Sequence, residues 1–186
     1  DQDCLLMYSG GKDSTLSAIR LHNAGYNVHF IHFTNGYMRD TDKPYLTFKK
    51  TFQNEDGYYF DYELSSVDIK KTFEEYYSKW NHNSSDILLT SEIRCLSCRM
   101  AMYTELIRIA KHKGIKYIAE GARISQKFML EQIPIITRIK DLASQHGIKL
   151  LCPVLYEDDK PKFIDTIVIS SQHDDIDIEI LRKDIK

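Results

Sequence analysis

Three times in this chain a helix-compatible stretch ends at a glycine and passes into a short apolar run. Gly25 precedes Val28–Phe33, Gly114 precedes Ile115–Ala119, and Gly147 precedes Ile148–Leu155. Glycine is favoured just past a helix end, where the backbone turns left-handed. A short, wholly apolar run suits a strand covered on both faces. Parallel strands need helical crossovers, and these run right-handed. The alternation therefore predicts an α/β protein: a doubly wound parallel sheet, Rossmann-like, in three α/β/α layers.

Cys4–Tyr8 supplies the first strand and Thr15–Asn23 the first helix. A short helix is expected over Tyr45–Gln53 and a third strand over Tyr58–Leu64, where aromatic and acidic residues mix. Ser65 and Ser66 are expected to cap a helix from Val67 to Trp80. A helix over Leu96–Lys113 has Met100, Tyr103, Leu106, Ile107 and Ala110 on one face. Another spans Gln126–His146 with a break at Pro134.

The 186 residues suffice for one domain with its own core. At 42% hydrophobic and 28% charged residues the chain falls outside the disordered class. A net charge of −2 excludes nucleic-acid attraction by bulk charge and leaves room for a local basic face. No run of about 18 apolar residues occurs, so no membrane-spanning helix is expected. Four cysteines are too few for a disulfide scaffold and point to a reducing compartment, the cytoplasm.

The most informative residues lie between the first strand and first helix: Ser9-Gly10-Gly11-Lys12-Asp13-Ser14. That is where an open α/β sheet binds ligands. Two glycines let backbone amides approach an anion, and the helix beginning near Ser14 adds its positive end. Ser9 and Ser14 can donate hydroxyl hydrogen bonds, and Lys12 a point charge. Asp13 would repel phosphate directly and makes sense facing a Mg2+ that accompanies ATP. A Walker loop is excluded, since Lys12 is followed by Asp13 and Leu6 stands where glycine is required; no G-x-G-x-x-G occurs either.

This run resembles the S-G-G-x-D-S signature of the PP-loop ATP pyrophosphatases (the adenine nucleotide alpha-hydrolase-like superfamily, with a sheet of the HUP type), over about Asp3–Leu155. The resemblance implies an enzyme that holds ATP while an acceptor oxygen attacks the α-phosphate and pyrophosphate leaves. The adenylated acceptor is then displaced by sulfur or nitrogen. It also implies adenine near Phe33 and Thr34, at the end of the second strand, and places Gly121, after the fourth, in the ATP site.

Cys95-Leu96-Ser97-Cys98-Arg99 is expected at the start of a long helix, where the helix end, Arg94 and Arg99 would lower thiol pKa values. The stretch is similar to the C-x-x-C of PP-loop enzymes that thiolate tRNA. That likeness implies a cysteine carrying sulfur, or a metal group, either an iron–sulfur cluster or Zn2+. Cys152, in the predicted fifth strand, is either a third ligand beside Cys95 and Cys98 or a small buried residue. Thiolating relatives carry Gly-His where this chain has Gly121-Ala122. The 7-cyano-7-deazaguanine synthases, which make a nitrile, carry terminal zinc-binding cysteines that this sequence lacks. Lys12, Asp13, Cys95 and Cys98 are the candidate catalytic residues. The expected partners are ATP, a tRNA base or small heterocycle as acceptor, a sulfur-donor protein and a second copy of the chain. A nitrile- or amide-forming ligase like the 7-cyano-7-deazaguanine synthases and a nucleotide-binding module without turnover are the rival readings.

The last 30 or so residues, from Tyr156, form a separate extension, 156–186, beside the nucleotide domain of 1–155. A strand is expected over Ile164–Asp174, then a short helix. The run Ile164-Asp165-Thr166-Ile167-Val168-Ile169-Ser170-Ser171-Gln172-His173-Asp174 resembles a segment of the S-adenosylmethionine synthetases, whose other loops do not occur in this chain.

Overall fold

The computed structural model describes residues 2–38, 42–53, 62–80, 87–126 and 129–157. The predicted tail strand and helix lie outside these residues.

Strands β1 (Gln2–Met7), β2 (Tyr26–Thr34), β3 (Leu64–Asp68), β4 (Tyr117–Ala119) and β5 (Lys149–Leu151) form one parallel sheet in the order β3-β2-β1-β4-β5. The central strand is in register with both neighbours, with Cys4 opposite Val28 on one side and Tyr117 on the other. Alternating side chains of β1 seed two cores, as the period of two requires. Leu5 and Met7 pack with Phe73, Tyr103, Leu106, Ile136 and Ile139 under α3 (Lys70–Trp80), α4 (Ile87–Lys113) and α5 (Ile133–Gln145). Cys4 and Leu6 pack with Leu21, Phe30, Phe48 and Phe52 under α1 (Lys12–Asn23) and α2 (Lys43–Phe52). The expected three-layer, doubly wound sheet is present.

Four elements differ from expectation. The third strand is Leu64–Asp68, downstream of the expected Tyr58–Leu64, most of which lies outside the described residues. Ser65 and Ser66 pair with Ile31 and His32 inside this strand rather than capping a helix. As an edge strand it pairs with β2 alone, so little burial marks it in the sequence. The helix-starting role falls to Asp68, whose Oδ1 accepts the Lys70 amide at 2.8 Å. Helix α4 begins at Ile87, well before the cysteine pair. Pro134 stands in the first turn of α5, where its missing N–H costs nothing, so it opens that helix instead of kinking it. The short turns Ile124–Gln126 and Met129–Glu131 precede it. Cys152 falls just beyond β5.

Candidate active site

The turn between β1 and α1 is held by its own hydroxyls. Ser9 Oγ accepts the Gly11 amide at 3.2 Å and lies 3.1 Å from Ser14 Oγ. Ser14 and Thr15 donate to the Gly11 carbonyl at 3.1 and 2.8 Å. Gly11 is the N-cap of α1 and makes no side-chain capping bond, so no side chain caps that helix end. Gly10 has φ +73, and a Cβ there would stand 2.6 Å from Pro44 Cα; the start of α2 rests directly on the turn.

Gly121 closes the arrangement from the other side. A Cβ there would lie 2.7 Å from the Ser14 amide nitrogen and 2.9 Å from the Asp13 carbonyl carbon. The segment after β4 thus abuts the backbone of α1's first turn, between strands whose connections depart to opposite sides of β1. This is the switch point at which open α/β sheets bind ligands.

Above it opens a cavity of about 540 Å³, within the range of small-molecule sites. Ser9, Gly11, Lys12, Asp13, Ser14, Phe33 and Gly121 line it, all of them anticipated from sequence. Gly10 and Thr34 are not in the lining. Gly10 supports Pro44, and the Thr34 carbonyl accepts the Ile69 amide at 2.7 Å.

Several charged groups were not assigned to the site from sequence. Glu120, 2% exposed, accepts from Arg99 Nη2 and from the Tyr103 hydroxyl. Burial works against the Arg99 charge, and Glu120, Tyr103 and Glu131 together more than offset it, so the guanidinium is held more firmly protonated than usual. Burial and Glu120 push the Tyr103 hydroxyl well up. Arg123 is buried with its Nε 3.6 Å from Asp13 Oδ1, while its Nε and Nη1 have no hydrogen-bond partner. Its backbone N–H donates to Glu131 Oε2 at 3.1 Å, and burial raises the Glu131 carboxyl above the usual range. Asp13 Oδ2 accepts from Gln126 Nε2. His32 lies 3.2 Å from the Tyr8 carbonyl through Nδ1, which fixes that nitrogen as the donor. Its Nε2 is buried without a partner, and burial lowers its pKa. Single carboxylates and arginines at strand and helix ends carry no spacing signal, so sequence left them unassigned.

The cysteines are arranged differently from expectation. Cys95 and Cys98 sit within α4, two turns or more from its amino end, beyond the reach of that end's positive charge. Cys98 is half-buried. Burial pushes its thiol up, against the opposing effects of Arg99 and of Asn35, whose Nδ2 donates to Sγ at 3.3 Å. Cys95 is exposed. Neither lines the cavity, although Arg99 and Met102 of the same helix do. Cys152 is buried in the core and Cys4 lies inside β1. Among the described residues no three His, Cys, Asp or Glu side chains stand where they could share a metal ion.

The family model described as thiamine biosynthesis protein (ThiI) matches residues 1–166. The chain belongs to the ThiI family. Its membership places it among the PP-loop proteins, as an ATP-dependent enzyme that activates an acceptor for sulfur or nitrogen transfer. Solved structures share the ThiI-family chain's fold. One is the predicted subunit of a tRNA methyltransferase from Methanocaldococcus jannaschii, 19% identical, TM-score 0.54, with 92% of this chain and 75% of that one covered. Another is the U34-tRNA thiolase NcsA from Methanococcus maripaludis with its [4Fe-4S] cluster, 18% identical, TM-score 0.51. The match covers 92% of this chain and 56% of the thiolase. No curated protein matches. Among the described residues of the ThiI-family chain, no helix is long and apolar enough to cross a membrane.

Proposed function

We propose that the acceptor is a tRNA base and that sulfur replaces its oxygen. Family membership and the two tRNA-acting proteins of like fold support this reading. The carrying observation is the uncapped first turn of α1, clasped between Gly121 and the hydroxyls of Ser9 and Ser14 at the sheet's switch point.

In this reading the triphosphate lies on the amides of Lys12 and Asp13, with Ser9 and Ser14 donating hydroxyls and Lys12 a charge. Asp13, which meets Gln126 and Arg123 here, would hold the Mg2+ that accompanies ATP, and the ion would supply positive charge to the phosphates. Adenine lies toward Phe33, where the end of β2 borders the cavity; Thr34 contributes backbone only. The base carbonyl oxygen attacks the α-phosphorus and pyrophosphate departs, its charge stabilised by prearranged donors. Sulfur then displaces AMP from the activated carbon. A separate donor protein delivers sulfane sulfur to Cys95, the exposed member of the pair, as a persulfide whose outer sulfur displaces AMP. The Cys98 thiol then attacks Cys95 Sγ, which releases the thiolated base and leaves a Cys95–Cys98 disulfide for an external thiol of the cytoplasm to reduce. Among the described residues no three His, Cys, Asp or Glu side chains stand where they could share a metal ion, and the steps proposed here use the thiols of Cys95 and Cys98. We place the end of the nucleotide domain near residue 155; Glu157, paired with Arg20, still packs on it.

Incubation with α-labelled ATP, tRNA and sulfide tests the proposal. Labelled AMP and pyrophosphate should form only when RNA is present, and Asp13→Ala should abolish both. Turnover at the wild-type rate in that variant, or AMP formation indifferent to RNA, would refute it.

A further inference from the structure

Helix α2 is two-faced. Pro44, Phe48 and Phe52 are buried against Tyr8 and Phe30, while Lys43, Tyr45, Leu46, Lys49 and Lys50 face out. The helix contains no acidic residue; Asp42 precedes it. A chain of net charge −2 thus gathers three lysines on one short face. Solvation explains exposed lysines, and Lys49 and Lys50 also complement the helix's negative end. Neither reason covers Tyr45 and Leu46, which are 56% and 62% exposed beside them.

The helical repeat places Lys49 one turn beyond Tyr45 and Lys50 one turn beyond Leu46. Ring and ammonium therefore sit side by side, which is how single-stranded nucleic acid is held: bases on aromatic faces, phosphates on cations. The face also borders the cavity. Lys43 belongs to both, and Met38, 48% exposed, continues the rim. From Lys43 to Lys50 the helix spans about 10 Å, room for two or three consecutive phosphates.

We propose that this outer face of α2 is the docking surface for the acceptor RNA, with Tyr45 stacking a nucleotide next to the modified one and Lys49 and Lys50 holding the flanking phosphates. The inference rests on the reading that the acceptor is tRNA. A ten-residue face is too small to anchor a protein partner by itself, whereas a strand lying along it is led to the cavity mouth.

The test measures binding of fluorescently labelled bulk tRNA by the full chain at several salt concentrations, together with Mg-ATP affinity. Lys49→Glu/Lys50→Glu should bind RNA at least tenfold more weakly, and its log–log salt slope should fall by about 1 per lysine. Tyr45→Ala should weaken binding roughly fivefold with the slope unchanged. Lys49→Gln/Lys50→Gln, which removes charge without reversing it, should fall between wild type and the reversal. Mg-ATP affinity should stay within about twofold in all three. RNA binding equal to wild type in the reversal variant overturns the docking surface alone. So does a loss confined to binding an acidic protein, which would assign the face to a protein. A wild-type chain that shows no affinity for tRNA overturns both this inference and the tRNA reading beneath it.

Discussion

Gly121→Ala is the most direct test of how the phosphate turn is built. The new Cβ would stand 2.7 Å from the Ser14 nitrogen and 3.0 Å from its Cα. Both are backbone atoms of α1, so no flexible side chain can swing away. To reach ordinary contact the two segments must part by about 0.7 Å. Overpacking of this kind costs about 1–3 kcal/mol, and a domain of this size loses about 2–4 °C of Tm per kcal/mol. The displacement falls on amides proposed to hold phosphate, where an error near 1 Å can cost on the order of 100-fold in rate. The expected outcome is a lowered Tm together with at least a tenfold loss in kcat/KM for ATP. Gly147→Ala is the control. Its φ of +71 makes alanine strained, yet a Cβ there meets nothing within 4 Å. It should lower Tm by a comparable amount and leave ATP kinetics unchanged. A Gly121→Ala enzyme with wild-type kinetics, or a control that loses ATP turnover equally, would refute the reasoning.

Other consequences can be checked the same way. Glu120→Gln leaves the largely buried Arg99 without its counter-charge and should cost about 3 kcal/mol in urea unfolding, whereas the Arg99→Met/Glu120→Gln pair should recover most of that loss; equal losses in the two would show that the pair is not coupled. Iodoacetamide at pH 7 should label Cys95 before Cys98, and Cys4 and Cys152 last. Because burial raises the Cys98 thiol, its thiolate forms only above the ordinary thiol range, so labelling of Cys98 should accelerate as pH rises past the point where an unperturbed cysteine has levelled off. Labelling of Cys98 that saturates at or below that point would contradict the assigned burial.

The layers and the phosphate turn were legible because their signals are local. Alternation along β1 divides Leu5 and Met7 from Cys4 and Leu6, and the glycines at 25, 114 and 147 all have positive φ past helix ends. Strand β3 was misplaced because its position depends on pairing with Phe30–Thr34, a long-range choice that its own half-exposed residues do not announce. The cysteine pair looked helix-initial because polar residues precede it, yet α4 runs through them. The Arg99–Glu120–Tyr103 cluster joins residues 17 and 21 positions apart across two elements, and only folding brings them together. Gly121 lines the cavity; that its hydrogen makes room for Ser14 could be known only from the packing.

Between Gly10 and Pro44 there is no space for even one methyl group. The peptide that would face the nucleotide and the proline that opens α2 therefore behave as meshed parts, with no slack to absorb travel. A tilt of α2 under load from outside is felt at once by the residues that would grasp ATP, and filling of the turn presses back on the helix.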